Sequence, residues 1–248
     1  MKKLTTLLVA MLFSAGMAFA QSNEAVVSQS GDDNTADIEQ VGDLNYTSLS
    51  QADGATADID QVSATESFVS LSQVGASNAT ILQNNKNSVQ GFNDQWNTPE
   101  SNKLATQSGS GSTMEITQLS TWNQAYVDQF GDNNTMSVFQ DDGNSNVARL
   151  IQDGNDNVMD IDLIGGTNRI KGEQYSDGNM ATVIVTGSHN NEFNNGTSFV
   201  YQDGMQNTAT VTVTGDFNFY DISQIGSNNM ANLSLAGNNN VATVTQSN

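Results

Sequence analysis

A short pattern that recurs along almost the whole chain constrains the fold more than any other feature of the sequence. Each copy closes on Gln, Leu or Val, usually with an aliphatic residue two positions earlier, a small residue or Met four earlier and Asn six earlier. Gly commonly lies two positions after the closing residue. Alternation with period two predicts a β-strand with one buried face, and the intervening Gly and Asn predict turns.

The closing residues predict twenty strands, most of them 10 to 12 residues apart. They are Gln29, Gln40, Gln51, Gln61, Gln73, Gln83, Gln95, Gln107, Gln118, Gln129, Gln140, Gln152, Leu163, Gln174, Val185, Gln202, Val213, Gln224, Leu235 and Gln246. From Gln152 onward Gln alternates with Leu or Val, so the full repeat is two strands, or about 22 residues, a period typical of stacked repeats.

This period predicts an all-β fold, a β-solenoid of about ten strand–turn–strand rungs in two parallel, in-register sheets. Each strand is expected to pair with its copies in the rungs above and below, about 4.8 Å away. The aliphatic and small residues of the facing strands would form a thin core between the sheets.

Polar residues at buried positions need hydrogen-bond partners, and stacking in register supplies them. An amide above an identical amide can accept from one neighbour and donate to the next, so we expect the closing Gln residues to form ladders that fix the register. For the Asn residues, buried ladders and simple turn formers both stay open. The residues predicted to form self-assembly ladders near the two ends are Gln29, Asn34, Gln40, Asn45, Gln51, Gln202, Asn207, Gln224, Asn229, Asn240 and Gln246.

Two stretches break the pattern. Residues 84–106 contain Trp96 and the only proline, Pro99, and they predict either a distorted rung or a segment looped out of the stack. The long interval from Val185 to Gln202 predicts a bulge at 186–197. Each stretch is interpreted either as a binding loop or as a tolerated surface insertion.

The start of the chain has the composition of a secretory signal. Lys2 and Lys3 precede an apolar stretch that ends in the small-residue sequence 18–20. We expect residues 1–20 to be a signal peptide, residues 21–24 a short leader and residues 25–248 the solenoid. The mature chain is expected to have no membrane span, because the apolar stretch is too short and is removed.

Charge and cysteine content exclude several classes of function. The net charge is −20, and removal of Lys2 and Lys3 makes it −22. Such an acidic chain is poorly suited to binding nucleic acid through its phosphates. The absence of Cys excludes a fold held together by disulfides.

The sequence gives no pattern for catalysis, a cofactor or a specific metal site. His189 is the only histidine, and it lies in a polar stretch without an apolar setting to orient it. The acidic run 153–157 resembles a calcium loop faintly, but the ordered ligand pattern with a distal Glu is missing. We expect no enzyme activity and at most weak binding of ions to stacked surface carboxylates.

The ends of the stack decide between assembly and a monomeric state. The first and last predicted strands lie close to the ends of the mature chain, so both end rungs would present unpaired backbone, which favours head-to-tail growth into an open filament. The alternative is a soluble monomeric solenoid that binds a polysaccharide or ice on a flat face. Thr182, Thr210 and Thr243 hint at the regular row that such a face requires.

The repeat also resembles a known family. Gln29, Gly31, Asn34, Ala36 and Gln40 match the curlin repeat Q-x-G-x-x-N-x-A-x-x-x-Q. The stretches that begin at Gln129 and Gln224 match its first half or more. The chain is similar to curli fibre subunits, and to the major subunit in particular. The resemblance implies an extracellular functional amyloid of biofilm matrix, with self-association as its main interaction, a minor curlin as nucleator and an outer-membrane channel for secretion.

Overall fold

The computed structural model describes residues 22–90, 104–191 and 200–248, and within these residues the regular structure consists of twenty β-strands. The strands alternate between two sheets along the chain. The first sheet contains β1 (Glu24–Ser30), β3 (Tyr46–Ala52), β5 (Phe68–Val74), β7 (Ser88–Gln90), β8 (Ala105–Ser108), β10 (Gln124–Phe130), β12 (Val147–Asp153), β14 (Arg169–Tyr175), β16 (Val200–Asp203), β18 (Phe219–Ile225) and β20 (Val241–Ser247). The second sheet contains β2 (Thr35–Asp43), β4 (Thr56–Thr65), β6 (Asn78–Gln83), β9 (Thr113–Gln118), β11 (Thr135–Asp141), β13 (Val158–Ile164), β15 (Met180–Thr186), β17 (Thr208–Thr214) and β19 (Met230–Ala236).

All of the strand pairs are parallel and in register, which confirms the predicted β-solenoid. In the first sheet Gln29 pairs with Gln51, and Gln51 pairs with Gln73. In the second sheet Gln40 pairs with Gln61 in the same way. The ladder between β2 and β4 has one irregularity, between Gln40 and Gly42.

The turns explain why Gly and Asn recur at fixed positions. The residue before most of the regular Asn positions has a positive φ, as Asn133 does at 57° before Asn134. Gly131 has a φ of 96°, and a Cβ atom on it would lie 2.2 Å from the carbonyl oxygen of Gly154 in the next rung. A side chain at Gly131 would therefore separate the rungs.

The core is a single thin layer between the two sheets. Alternate residues of each strand point inward, and Leu49, Ile59 and Leu71 are almost completely buried. One inward position is a glycine, Gly172, and a Cβ atom there would lie 2.7 Å from the Sδ atom of Met159. Neighbouring side chains therefore fill the space that a larger residue occupies in other rungs.

The first interruption is one strand layer made of two pieces. β7 and β8 both lie between β5 and β10, with Val89 beside Val69 and Ala105 beside Leu71. The additional residues therefore enter within a strand, so the ten positions of the first sheet face nine in the second. The predicted closing residue Gln95, together with Trp96, Pro99 and Lys103, lies outside the described residues.

The second interruption begins later than the sequence pattern indicated. The predicted bulge spans 186–197, but Asn190 occupies its regular place between Asn168 and Asn218. The backbone N–H of Asn191 donates to the carbonyl oxygen of Asn218. The first residue of an ordinary strand makes the same bond, as Gln124 does to Asn146. The prediction was wrong for residues 186–191, because the Asn ladder holds them in an ordinary turn, and residues 192–199 lie outside the described residues.

The predicted signal peptide and the first residue of the predicted leader also fall outside the described residues. Among the residues that are described, no helix is long and apolar enough to cross a membrane.

Candidate assembly surface

A continuous column of glutamine amides follows the inner face of the first sheet. Each Nε2 atom donates to the Oε1 atom of the next Gln toward the C-terminal end, at 2.8–3.0 Å. The column consists of Gln29, Gln51, Gln73, Gln107, Gln129, Gln152, Gln174, Gln202, Gln224 and Gln246. All of its members were predicted from the repeat, and all of its bonds point the same way.

Each amide has a second hydrogen, and the preceding strand accepts it. Gln152 donates to the backbone carbonyl of Thr135, the first residue of β11, at 3.0 Å. Gln246 donates to the carbonyl of Met230, the first residue of β19, at 2.8 Å. Both amide hydrogens of an internal column member such as Gln152 are thus used, which removes the cost of burying the side chain.

The second sheet has a shorter column of the same kind. Gln40, Gln61, Gln83, Gln118 and Gln140 are joined by bonds of 2.7–3.0 Å. Gln140 is followed by Leu163, and the remaining positions are aliphatic, with Leu163, Val185 and Val213 buried. The column therefore changes from amide to apolar contacts halfway along the solenoid.

The Asn residues act as ladder members and as turn formers at once, so the two interpretations were both correct. The Oδ1 atom of Asn134 accepts the backbone N–H of Asn157 at 2.9 Å. Its Nδ2 atom donates to the turn carbonyls of Phe130 and Gly154. Two such columns run along the solenoid, one at each turn.

Some members of the Asn columns were not predicted. Asn23 begins one column, because its Oδ1 atom accepts the backbone N–H of Asn45. Ser112 replaces Asn in the other column and accepts from Asn134 through its hydroxyl oxygen. The spacing of six residues before the closing Gln118 could have identified Ser112, since its hydroxyl can accept the same bond.

At the N-terminal end the predicted ladder residues leave some groups unused. Gln29, Asn34 and Gln40 are exposed or half-buried, whereas Asn45 and Gln51 one rung further in are buried. Within the described residues, Gln29 Nε2 donates only to Gln51. It lacks the second acceptor because no strand precedes β1 in this part of the chain. The Oε1 atoms of Gln29 and Gln40 likewise lack the Gln donor that every later column member has.

At the C-terminal end the unused groups are complementary to these. Gln202, Asn207 and Gln224 are buried, whereas Asn229, Asn240 and Gln246 are half-buried. Asn229 and Asn240 donate through Nδ2, but among the described residues their Oδ1 atoms accept no bond from a further rung. Acceptors from the Asn columns therefore face outward at this end. At the other end the backbone N–H groups of Asn23 and Asn34 have no earlier rung to donate to among the described residues.

A comparison with protein families gives the repeat its name. The Curlin associated repeat matches residues 19–42, 31–62 and 109–141, which include β1 to β3 and β9 to β11. These parts of the chain therefore carry curlin repeats. A search of curated proteins finds no match to it.

The outer surface carries a cluster of carboxylates on the second sheet. Asp37 lies beside Asp58, and Glu39 beside Asp60, on β2 and β4. Burial and then the charges of Asp58, Glu39 and Asp37 raise the pKa of Asp60. The paired carboxylates therefore repel one another when ionised.

The outer face of the first sheet has buried charges that the repeat did not predict. Arg149 is only 2% exposed, and its guanidinium carbon lies 4.8 Å from the centroid of the Tyr126 ring. Lys171 forms an ion pair with Glu173 at 2.9 Å. The sequence pattern assigns these residues to an outward face, and an opposite charge or an aromatic ring compensates for their burial.

The residues considered for ligand binding do not form a continuous site. Thr182 and Thr210 are neighbours in the second sheet, but Thr243 lies in the first sheet beside Asp221. The His189 ring stacks on that of Phe217, at a turn, with centroids 4.9 Å apart. Among the described residues, no group of three or more His, Asp or Glu side chains is placed to hold a metal ion.

Proposed function

We propose that this curlin-repeat protein is a secreted structural subunit that self-assembles head to tail into curli-like amyloid fibres of an extracellular biofilm matrix, where it serves adhesion and aggregation. The observation that carries the proposal is the complementarity of the two ends. One end offers Asn oxygens and the Gln246 amide, and the other offers Asn N–H groups and Gln oxygens. Within the described residues, each end also has an unpaired parallel strand edge.

The mechanism is addition of a chain to a template. The last rung of one molecule presents hydrogen-bonding groups at the positions that a further rung would use. An incoming chain that pairs there repeats the bonds already made between internal rungs. The contact does not close on itself, because donors and acceptors lie at opposite ends, so growth continues as a filament.

The resemblance to curli subunits supports the remaining parts of the proposal. Residues 1–20 would direct export and be removed, an outer-membrane channel would secrete the chain, and a minor curlin would nucleate the fibre. The family and the fold favour a structural role over an enzymatic one. The predicted ladder residues at the two ends would drive assembly.

The direct test is to follow purified residues 21–248 by thioflavin fluorescence, sedimentation and electron microscopy. We expect fibres whose elongation slows in Gln246→Ala, with a smaller loss of monomer stability than in Gln224→Ala, because Gln246 is half-exposed and its removal leaves only Gln224 Nε2 without its column partner. Gln224→Ala should instead destabilise the monomer, since Gln224 is buried between Gln202 and Gln246. Thr212→Ala, on the exposed face of β17, is the control and should assemble normally.

The competing function is a monomeric ligand-binding solenoid. Under that hypothesis the protein stays monomeric for days at high concentration, and Gln246→Ala changes nothing in its association. This result would reject the proposed fibre role.

A further inference from the structure

The first and last of the described strands lie in the same sheet, and this restricts how two copies can stack. β1 and β20 both belong to the first sheet, which has ten layers when β7 and β8 are taken as one, and the second sheet has nine. A copy placed on the C-terminal end without rotation pairs its β1 with β20. One strand position in the second sheet, between β19 and the β2 strand of the added copy, is then empty.

Inside the molecule, consecutive strands are related by a half-turn about the solenoid axis. In the first sheet Gln152 donates to the first residue of the preceding strand, Thr135. In the second sheet Gln140 does the same toward Gln124, at 3.2 Å. The same bond recurs after each half-turn from Gln40 to Gln152, so either sheet can form this contact.

We infer that successive subunits in the fibre are rotated by a half-turn about the fibre axis. The β1 strand of the added copy then extends the second sheet beyond β19, and its β2 strand extends the first sheet beyond β20. This inference rests on the proposed fibre function and on removal of residues 1–20, and it specifies the interface between copies.

The half-turn gives partners to the groups that the ends leave unused, except Gln29 Oε1 of the added copy, which lies beside Leu235. The Gln246 amide meets Gln40 Oε1 of the added copy, and Gln29 Nε2 of that copy meets the carbonyl of Val241, the first residue of β20. Asn229 and Asn240 Oδ1 accept from the backbone N–H groups of Asn23 and Asn34. Without rotation, β19 and β2 lie about 9.6 Å apart, twice the strand spacing, and neither is paired at that edge.

The side chains at this junction are compatible. In the register used by internal rungs, Leu233 meets Val27 of the added copy and Val244 meets Ile38. The carboxylates of Asp37 and Glu39 meet Thr243 and Thr245, so no acid is placed beside another acid. The apolar residues continue the thin core across the junction.

The experiment uses engineered cysteine pairs, since the natural chain has no Cys. Neighbouring in-register positions have Cα atoms about 4.8 Å apart, within disulfide range. The half-turn places residue 243 beside residue 37 of the next copy and residue 232 beside residue 26. The unrotated junction places residue 243 beside residue 26. All of these side chains are exposed.

Fibres of Thr243→Cys/Asp37→Cys and of Asn232→Cys/Val26→Cys are oxidised, dissolved and run on a non-reducing denaturing gel. Both should give a ladder of covalent oligomers, and Thr243→Cys/Val26→Cys should give monomer. The control Thr182→Cys/Thr210→Cys should close within one molecule, because these residues are neighbours on β15 and β17.

A ladder from the 243–26 pair instead of the other two would overturn the half-turn while leaving the fibre function intact. Fibres that give no ladder from any of the three pairs, while the control closes, would overturn it as well. The absence of fibres in the unmodified chain would contradict the proposed function itself, and the half-turn with it.

Discussion

For single residues, the importance of a column glutamine depends on whether another amide lies on both sides of it. Gln152 accepts from Gln129 and donates to Gln174, whereas Gln140 accepts from Gln118 and has Leu163 on its other side. Replacing Gln152 leaves two amide groups without a column partner, one on Gln129 and one on Gln174. Replacing Gln140 leaves one, on Gln118. A buried group without its hydrogen bond costs about 1–3 kcal/mol.

We therefore expect Gln152→Leu to lower the free energy of unfolding of the monomer by about 2 kcal/mol or more, and Gln140→Leu by about half as much. Urea unfolding of freshly purified monomer measures both free energies of unfolding. Because both variants carry the same Gln→Leu change, each is the control for the other. Equal losses would show that the column does not stabilise the fold in the way described here.

Gly172 gives a second prediction for a single residue. A Cβ atom at this position would lie 2.7 Å from Met159 Sδ and 3.0 Å from Leu150 Cδ2. Gly172→Val overpacks the core and should destabilise the monomer by about 1–3 kcal/mol. Gly166→Ala is the control, since the nearest atom to its Cβ would be 3.5 Å away, and thermal unfolding should show little change. A Gly172→Val variant as stable as the natural chain contradicts this packing.

For individual strands, the carboxylates of β2 and β4 make stability depend on pH. Burial, followed by the neighbouring carboxylates, raises the pKa of Asp60 above its ordinary 3.8. Since the folded chain holds this proton more tightly than the unfolded chain, the contribution to stability is complete below pH 3.8 and is lost as the pH rises through the raised pKa.

The variant Asp58→Asn/Asp60→Asn should therefore show a smaller loss of stability between pH 4 and pH 7 than the natural chain. Asp32→Asn/Asp33→Asn removes the same charge from the turn before β2 and is the control. Urea unfolding at both pH values provides the measurement. A pH dependence that is the same in both double variants would count against repulsion between the stacked acids.

The strands themselves were largely predictable from the sequence, because period-two alternation and the closing Gln specify face and register together. The repeat also identified every member of the Gln columns within the described residues. It could not show that β7 and β8 share one layer, because Ser88–Gln90 is too short to carry the pattern. The buried Arg149 and Lys171 were missed because their positions alternate as outward ones do.

For the whole molecule, net charge should control how fast copies associate. The mature chain is expected to carry −22, which opposes the approach of two copies at neutral pH. Protonation of carboxylates or screening by salt weakens this repulsion. We expect thioflavin curves to show faster assembly at pH 4 than at pH 7. Assembly should also be faster in 0.5 M salt, where the Debye length is ~4 Å, than at low salt. Rates that do not change with pH or salt would refute this role of charge.

The central claim is that the two ends of the solenoid are complementary and unsealed, so that copies add to one another without limit. Electron cryo-microscopy of purified residues 21–248, after incubation at neutral pH, tests it most directly. The account predicts unbranched filaments with layers about 4.8 Å apart along the axis and both sheets continuous from one copy to the next. Discrete single solenoids that never join end to end would contradict it.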